Sequence, residues 1–194
     1  AIDREGIVRR TVGAVFPDAE PVGSRFIMPG QEIEGIDGYS DSVTDLGLGS
    51  GDVDAARQIL EDAGYEVDPS GLIDPDGEPV RDLTITAGSG NPMRTEAMVL
   101  IQADLEPLGI TVIPTHTDDL GGTVAGGEFD LIHFGTNLDI IPTRTAQSQF
   151  SSATGFTNYQ DEEIDQWLDE AQTTLDPQVV VDILHDVDAR LSEQ

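Results

Sequence analysis

The chain of 194 residues contains no cysteine and no lysine. Without cysteine it has no disulfide, no thiolate metal site and no cysteine nucleophile. Its nine basic residues are all arginine, against 38 acidic residues, and the formal net charge is −29. Nucleic acid and anionic lipid surfaces are poor partners for such a chain, because both require a basic footprint. No apolar run approaches the ~20 residues that a transmembrane helix needs, so the sequence predicts no membrane span.

The length fits one domain, or one lobe of a larger protein. A hydrophobic fraction of 38% is sufficient for a core. The chain opens almost inside a helix capped by Asp3, which suggests an excerpt from a longer protein. The acidic excess has two interpretations: a strongly solvated surface, or an acidic face that attracts cations or a cationic substrate.

The stretch from Leu83 to Gly135 has the pattern of consecutive β-α-β units. Three apolar runs, Leu83–Ala87, Ile110–Pro114 and Phe129–Phe134, alternate with two helix-like segments. The last run is apolar enough for a buried parallel strand. We therefore predict an α/β fold with a mixed, mostly parallel sheet flanked by helices. Ligands bind at the carboxyl edge of such sheets.

The flanking regions divide into irregular and helical parts. Residues 16–50 are rich in proline and glycine and are predicted to be an irregular segment that wraps another part of the protein. Residues 136–159 are predicted to be a loop. Asp161 and Asp176 are predicted to cap the last two helices, with Leu175 on the inward face of the first of them.

The sequence offers no recognisable catalytic apparatus. Its only histidines, His116, His133 and His185, belong to neither a G-x-S-x-G nor an H-E-x-x-H motif. The turn Asp74–Gly77 lacks the spacing and the bidentate glutamate of a calcium loop. The glycine-rich turn before Asn91 matches no phosphate-binding motif. We predict no catalytic residue, no metal and no cofactor, which favours binding over catalysis.

Five short motifs follow one another along nearly the whole chain. They are a helix opening at residues 1–5, "DAARQIL" followed by "AGY" at residues 54–65, "NP" then "IQADLEPLGITV" at residues 91–112, "AGGEFDL" followed by glycine at residues 125–135, and "NY" at residues 158–159. Each motif is weak alone. In their order and spacing they resemble the second lobe of the large solute-binding proteins of ABC importers, the peptide/nickel/oligopeptide-binding family.

This resemblance implies a periplasmic-binding-protein-like lobe spanning residues 1–194. The first lobe, a lipid anchor and ABC permease subunits would complete the system outside the cytoplasm, with a peptide or similar solute held between lobes. In peptide-binding members of the family, an aspartate after the "F-D…G" strand pairs with the ligand's α-ammonium group. Asp139 stands at about that position, and Thr136, Asn137 and Arg144 are further ligand-binding candidates.

Two departures from the family pattern leave the ligand class open. Thr136 stands where the family commonly has tryptophan, and the loop differs around Ile140–Pro142. Residues 24–31 also resemble an actinobacterial lipoprotein branch, some of which is linked to cell-wall glycolipid assembly. The alternative function is therefore a non-transport interaction or regulatory lipoprotein of the cell envelope with the same fold. An enzyme would require a convergent Ser/His/Asp cluster.

Overall fold

The computed structural model describes residues 1–68, 70–127, 129–135, 141–157 and 159–193. Its α-helices are α1 (Arg4–Arg10), α2 (Ser42–Asp45), α3 (Val53–Asp62), α4 (Pro92–Leu105), α5 (Leu120–Gly126), α6 (Pro142–Phe150), α7 (Glu162–Thr173) and α8 (Pro177–Glu193). Its strands are β1 (Glu32–Ile33), β2 (Ile36–Asp37), β3 (Glu66–Asp68), β4 (Gly71–Ile73), β5 (Leu83–Gly88), β6 (Val112–Thr117) and β7 (Leu131–His133). Short 3-10 turns cover Val12–Ala14 and Glu106–Leu108. None of the described helices has both the length and the apolar character needed to cross a bilayer.

The chain divides into two compact units. The sheet unit consists of Ala1–Pro21 and Gly49–Gly135, and the helical unit consists of Val22–Leu48 with the described part of Thr136–Gln194. Within residues 16–50 the regular elements are short, namely the β1–β2 hairpin and the single turn of α2. That residues 1–194 form one lobe stays a prediction.

The sheet unit confirms the α/β class. Its three-stranded sheet is wholly parallel in the order β6-β5-β7, so β5 is the central strand. Helix α4 packs on this sheet through Met98, which is fully buried together with Ile85, Ala87 and Val112. Antiparallel pairing occurs in the β1–β2 and β3–β4 hairpins.

Side-chain capping bonds mark the helix starts, and the predicted caps Asp3 and Asp161 are confirmed. Asp52 accepts a hydrogen bond from the N–H of Ala55 at 2.8 Å, and Asp161 accepts one from the N–H of Glu163 at 2.9 Å. Asn91 caps α4, with Pro92 at its first position. Caps of this type stabilise a helix by about 1 kcal/mol each.

Strand β7 differs from its prediction. It is parallel to β5, as predicted, but it is only three residues long and is not fully buried, because among the described strands it pairs with β5 alone. Its first residue, Leu131, keeps 36% of its side-chain exposure. An apolar run gives the burial tendency of a strand but not the number of its neighbours, and this explains the error.

The predicted loop at residues 136–159 was wrong over Pro142–Phe150, which form α6. This helix is buried through Thr143, Thr145, Ala146 and Gln149, so it shows no apolar periodicity in the sequence.

The inward placement of Leu175 was also wrong. Helix α7 ends at Thr173, and Leu175 is 97% exposed beyond that end.

The helical unit has a core of its own. Phe26 and Ile27 from the amino-terminal segment are buried with apolar side chains of α6, α7 and α8. Phe26 also meets the ring of Phe150 edge-on, with centroids 5.9 Å apart. Within this unit, Asp188 is only 1% exposed and accepts a 2.6 Å hydrogen bond from the guanidinium of Arg25.

Candidate functional site

The carboxyl ends of the three parallel strands form the candidate site. The register pairs Gly88 of β5 with Thr117 of β6, and Ala87 with both His116 and His133. Residues in register on neighbouring strands point to the same face of a sheet. The two histidines therefore flank the small, fully buried Ala87 on one face, at the edge where α/β folds bind ligands.

His116 has a hydrogen-bond partner and His133 has a buried nitrogen without one. The Nε2 of His116 lies 2.9 Å from the hydroxyl of Thr95 on α4. The Nδ1 of His133 is buried and finds no hydrogen-bond partner among the described residues. Burial lowers the pKa of His133 from its ordinary value of 6.5, and the positive charge of Arg94 lowers it further. The His133 ring is consequently biased towards its neutral form.

Arg94 supplies the positive charge at this edge. It lies in the first turn of α4, where its backbone N–H donates to the cap Asn91 at 3.2 Å. Its guanidinium extends over the strand ends, because a Cβ added at Gly135 would lie 3.0 Å from Nη2 and one added at Gly88 would lie 3.8 Å from Nη1. These two glycines leave the guanidinium its space.

The half-buried guanidinium of Arg94 has no carboxylate partner within ion-pair distance in the part of the chain that the structure describes. A cation in the first turn of a helix is also disfavoured by the helix dipole, whose amino end is positive. An arginine without a described carboxylate partner, in a chain of net charge −29, is suited to receiving an anionic group.

The sequence-predicted site residues have different outcomes. Thr136, Asn137 and Asp139 lie outside the described residues. Arg144 lies on α6 of the helical unit, where it is exposed and its backbone N–H donates to the carbonyl of Ile141 at 3.0 Å. Sequence reasoning did not single out Arg94. The signal was a basic residue in the first turn after a helix cap, an electrostatically unfavourable choice that indicates a function.

Other regions of the described structure are weaker candidates. A cavity of about 450 Å³ lies at the opposite end of β6 and is lined mostly by uncharged groups, among them Ser70, Val99 and Gln102. Among the described residues, no cluster of three or more histidine or acidic side chains is arranged to hold a metal ion. The Asp74–Gly77 turn is closed by its own backbone, with the N–H of Gly77 donating to the carbonyl of Asp74 at 2.9 Å.

Comparison with protein families gives a match over residues 1–158 to bacterial extracellular solute-binding proteins, family 5, in the middle region of that family. A comparison with curated proteins finds no match. Among solved structures, the periplasmic EDTA-binding protein EppA is 26% identical with a TM-score of 0.86, over 98% of this chain and 35% of that protein.

Two further structures extend the likeness. An oligopeptide-binding protein of Thermotoga maritima with bound mannohexaose is 25% identical with a TM-score of 0.78, over 98% of this chain and 37% of that protein. The oligopeptide-binding protein AppA of Bacillus subtilis, in complex with a nonapeptide, shares the fold at 20% identity and a TM-score of 0.73, over 99% of this chain and 38% of its own length. The chain thus spans little more than a third of the proteins that it resembles.

Proposed function

Because the chain belongs to the bacterial extracellular solute-binding proteins, family 5, we propose that it is a ligand-binding lobe of an ABC importer's solute-binding lipoprotein. The parent protein works outside the cytoplasm, attached to the cell envelope by a lipid anchor, and delivers its solute to permease subunits. Its role is binding rather than catalysis. Peptides or similar solutes are the proposed ligands, held between this lobe and a first lobe.

The observation that carries this proposal is the guanidinium of Arg94 at the carboxyl edge of the sheet, with no carboxylate within ion-pair distance among the described residues. The guanidinium of Arg94 and the ring of His133 are placed to receive an anionic group, and a peptide offers one in its terminal carboxylate. EDTA, the ligand named for the similar protein EppA, is a polycarboxylate. An acidic group on the ligand would neutralise the charge of Arg94 and stabilise the complex.

Four residues that follow the sheet unit in the sequence are the other proposed ligand contacts. Asp139 is proposed to bind the α-ammonium group of a peptide, with Thr136, Asn137 and Arg144 as further contacts. A carboxylate against an ammonium group orients a ligand strongly once water is excluded. The two peptide termini would then be distinguished by two opposite charges, Arg94 and Asp139.

The test uses the full-length protein and mixed-sequence nonapeptides in three forms: free, N-acetylated and C-amidated. In calorimetry, Asp139→Ala should weaken binding of the free peptides at least about tenfold. It should have little effect on N-acetylated peptides, since these have already lost the ammonium group. Arg94→Gln should weaken free peptides in the same way and leave C-amidated peptides unaffected.

Asp54→Ala is the matched control, because Asp54 is an exposed carboxylate on α3. It should leave all three affinities unchanged. Equal affinity of wild type and Asp139→Ala for free peptides would reject the role of Asp139. The isolated chain should bind weakly, because one lobe forfeits the contacts of closure, and tight binding by it would contradict the two-lobe mechanism.

A further inference from the structure

We propose that Asp130 is a positioning residue that fixes the register of β7 and thereby places His133 and the residues after it at the carboxyl edge of the sheet. This inference rests on the proposed function for its effect on ligand binding. Its structural basis, a carboxylate that extends the hydrogen-bonding of a very short strand, can be tested without any ligand.

Strand β7 has little backbone pairing to hold it. Its three residues pair with β5 from Ile85↔Leu131 to Ala87↔His133, whereas β6 has six register pairs with the same strand. Three register pairs constrain a strand less than six do, and a slip by one residue would turn every side chain to the opposite face. For β7, that slip would remove His133 from the face on which His116 and Thr95 lie.

The carboxylate of Asp130 supplies the missing contacts. Continuing the register by one residue places Asp130 opposite Thr84, and its Oδ2 accepts hydrogen bonds from the backbone N–H of Thr84 at 2.8 Å and from its hydroxyl at 3.1 Å. The side chain thus takes the place of a backbone acceptor just before β7 begins. Each of these bonds requires β7 to be in its observed register.

Arg81 holds the same carboxylate from the other side. Its Nη1 donates to Oδ2 of Asp130 at 2.9 Å, its Nη2 contacts Oδ1, and Nη1 also donates to the carbonyl of Asp82 at 3.0 Å. The guanidinium of Arg81 is the main cause of a pKa for Asp130 well below its ordinary value, and the N–H of Thr84 adds to this. The carboxylate therefore stays ionised and stays in place.

The register of β7 affects the candidate site because Gly135, just after this strand, lies against the guanidinium of Arg94. A Cβ at Gly135 would already lie 3.0 Å from the Nη2 of Arg94. A slip of one residue moves the strand by about 3.3 Å and brings a residue with a side chain to the position of Gly135, where a Cβ is tight against this guanidinium. Asp130 itself is three residues before His133, roughly 10 Å along the strand, so it acts on the site through the strand rather than by touching the ligand.

The test compares Asp130→Ala and Asp130→Asn with wild type in the full-length protein. Amide exchange at residues 131–135 should rise at least about tenfold in Asp130→Ala, and the NMR titration of the His133 ring should move towards ordinary histidine. The rings of His116 and His185 should keep their signals. Asp130→Asn, which keeps an acceptor for Thr84, should recover part of the protection. Affinity for free nonapeptides should fall about tenfold in Asp130→Ala.

Asp161→Asn is the matched control for Asp130→Asn. Asp161 also joins an arginine to backbone N–H groups, since it accepts from Nε of Arg190 at 2.7 Å and from the N–H of Glu163 at 2.9 Å, but it does so in the helical unit. It should lower stability without changing exchange at residues 131–135 or the His133 signal.

Unchanged exchange and an unchanged His133 titration in Asp130→Ala would overturn the inference. So would an equal loss of affinity in the two asparagine variants, because that would mean a general loss of stability. If wild-type protein binds no nonapeptide, the proposed function fails on its own, and the exchange and NMR measurements still decide whether Asp130 fixes the register.

Discussion

In the sheet unit the half-buried guanidinium of Arg94 has no described carboxylate within ion-pair distance. In the helical unit the guanidinium of Arg25 is bound to Asp188, whose side chain is 1% exposed. The same residue type serves two purposes in one chain. Arg25, paired with a buried carboxylate, holds two segments of the helical unit together, whereas Arg94, without a carboxylate partner among the described residues, is the arginine that we propose binds a ligand.

The largest effect on the free energy of unfolding is expected from removing the carboxylate that binds Arg25. Asp188 accepts hydrogen bonds from the Arg25 guanidinium and from the hydroxyl of Ser42 at 3.1 Å, so Asp188→Ala leaves both donors without their acceptor. We expect a loss of about 3 kcal/mol in the free energy of unfolding. This is the lower end of the range for a broken buried pair, because Arg25 keeps 33% of its exposure.

The measurement is urea unfolding followed by the fluorescence of Trp167, the only tryptophan, which packs against the core of the helical unit. Asp186→Ala is the control, since Asp186 is exposed on the same helix and its loss should stay within about 0.5 kcal/mol. Equal midpoints for the two variants would show that the Arg25–Asp188 pair contributes no stability.

A smaller change in the free energy of unfolding, of opposite sign, is expected from replacing Arg94. Arg94→Gln removes a cation from the first turn of α4, so the free energy of unfolding should stay the same or rise by up to about 0.5 kcal/mol. Arg190→Gln is the comparison, because it removes ion pairs to Asp161 and Glu163 and should lower stability by about 1 kcal/mol or less. A loss above about 1 kcal/mol in Arg94→Gln would mean that this residue is structural.

The smallest effect is the pH dependence that His133 contributes. Its pKa in the folded chain is below 6.5, so between these two values the unfolded chain binds more protons than the folded chain. Its contribution to stability is therefore present near neutral pH and lost as the pH falls through this window. His133→Gln should flatten this part of the profile in urea unfolding between pH about 7.5 and about 5. Parallel profiles for variant and wild type would contradict the buried, neutral ring.

The order of elements could be predicted from local signals. Helices α3, α4 and α7 follow acidic or amide caps, and α4 and β5 have clear apolar patterns, so the sequence alone predicts the β-α-β arrangement. Helix α6 could not be predicted in this way, because it is buried through threonine, alanine and glutamine. The outer position of β7 depends on pairing across the sheet, and no local pattern reports that.

Less of the candidate site than of the fold could be predicted from the sequence. The sequence shows His133 only as a histidine within a predicted strand. Its place in the site depends on its register with Ala87 and on the guanidinium of Arg94 from α4. Asp130 was read as part of a family motif, and its contact with Thr84 bridges 46 positions in sequence. Such roles arise from tertiary contacts, although the basic residue after the α4 cap was a visible local clue.

The bond between Arg25 and Asp188 joins residues 163 positions apart. During synthesis the segment that carries Phe26 and Ile27 therefore emerges long before the helix that buries it, and the whole of Gly49–Gly135 is made in between. The sheet unit is complete, apart from later contacts, when Gly135 leaves the ribosome. The side chains of Phe26 and Ile27, in residues 22–48, therefore stay without their full set of apolar neighbours until α8 has been synthesised. The helical unit is thus the last part of this chain to fold, and its early segment depends longest on protection from aggregation.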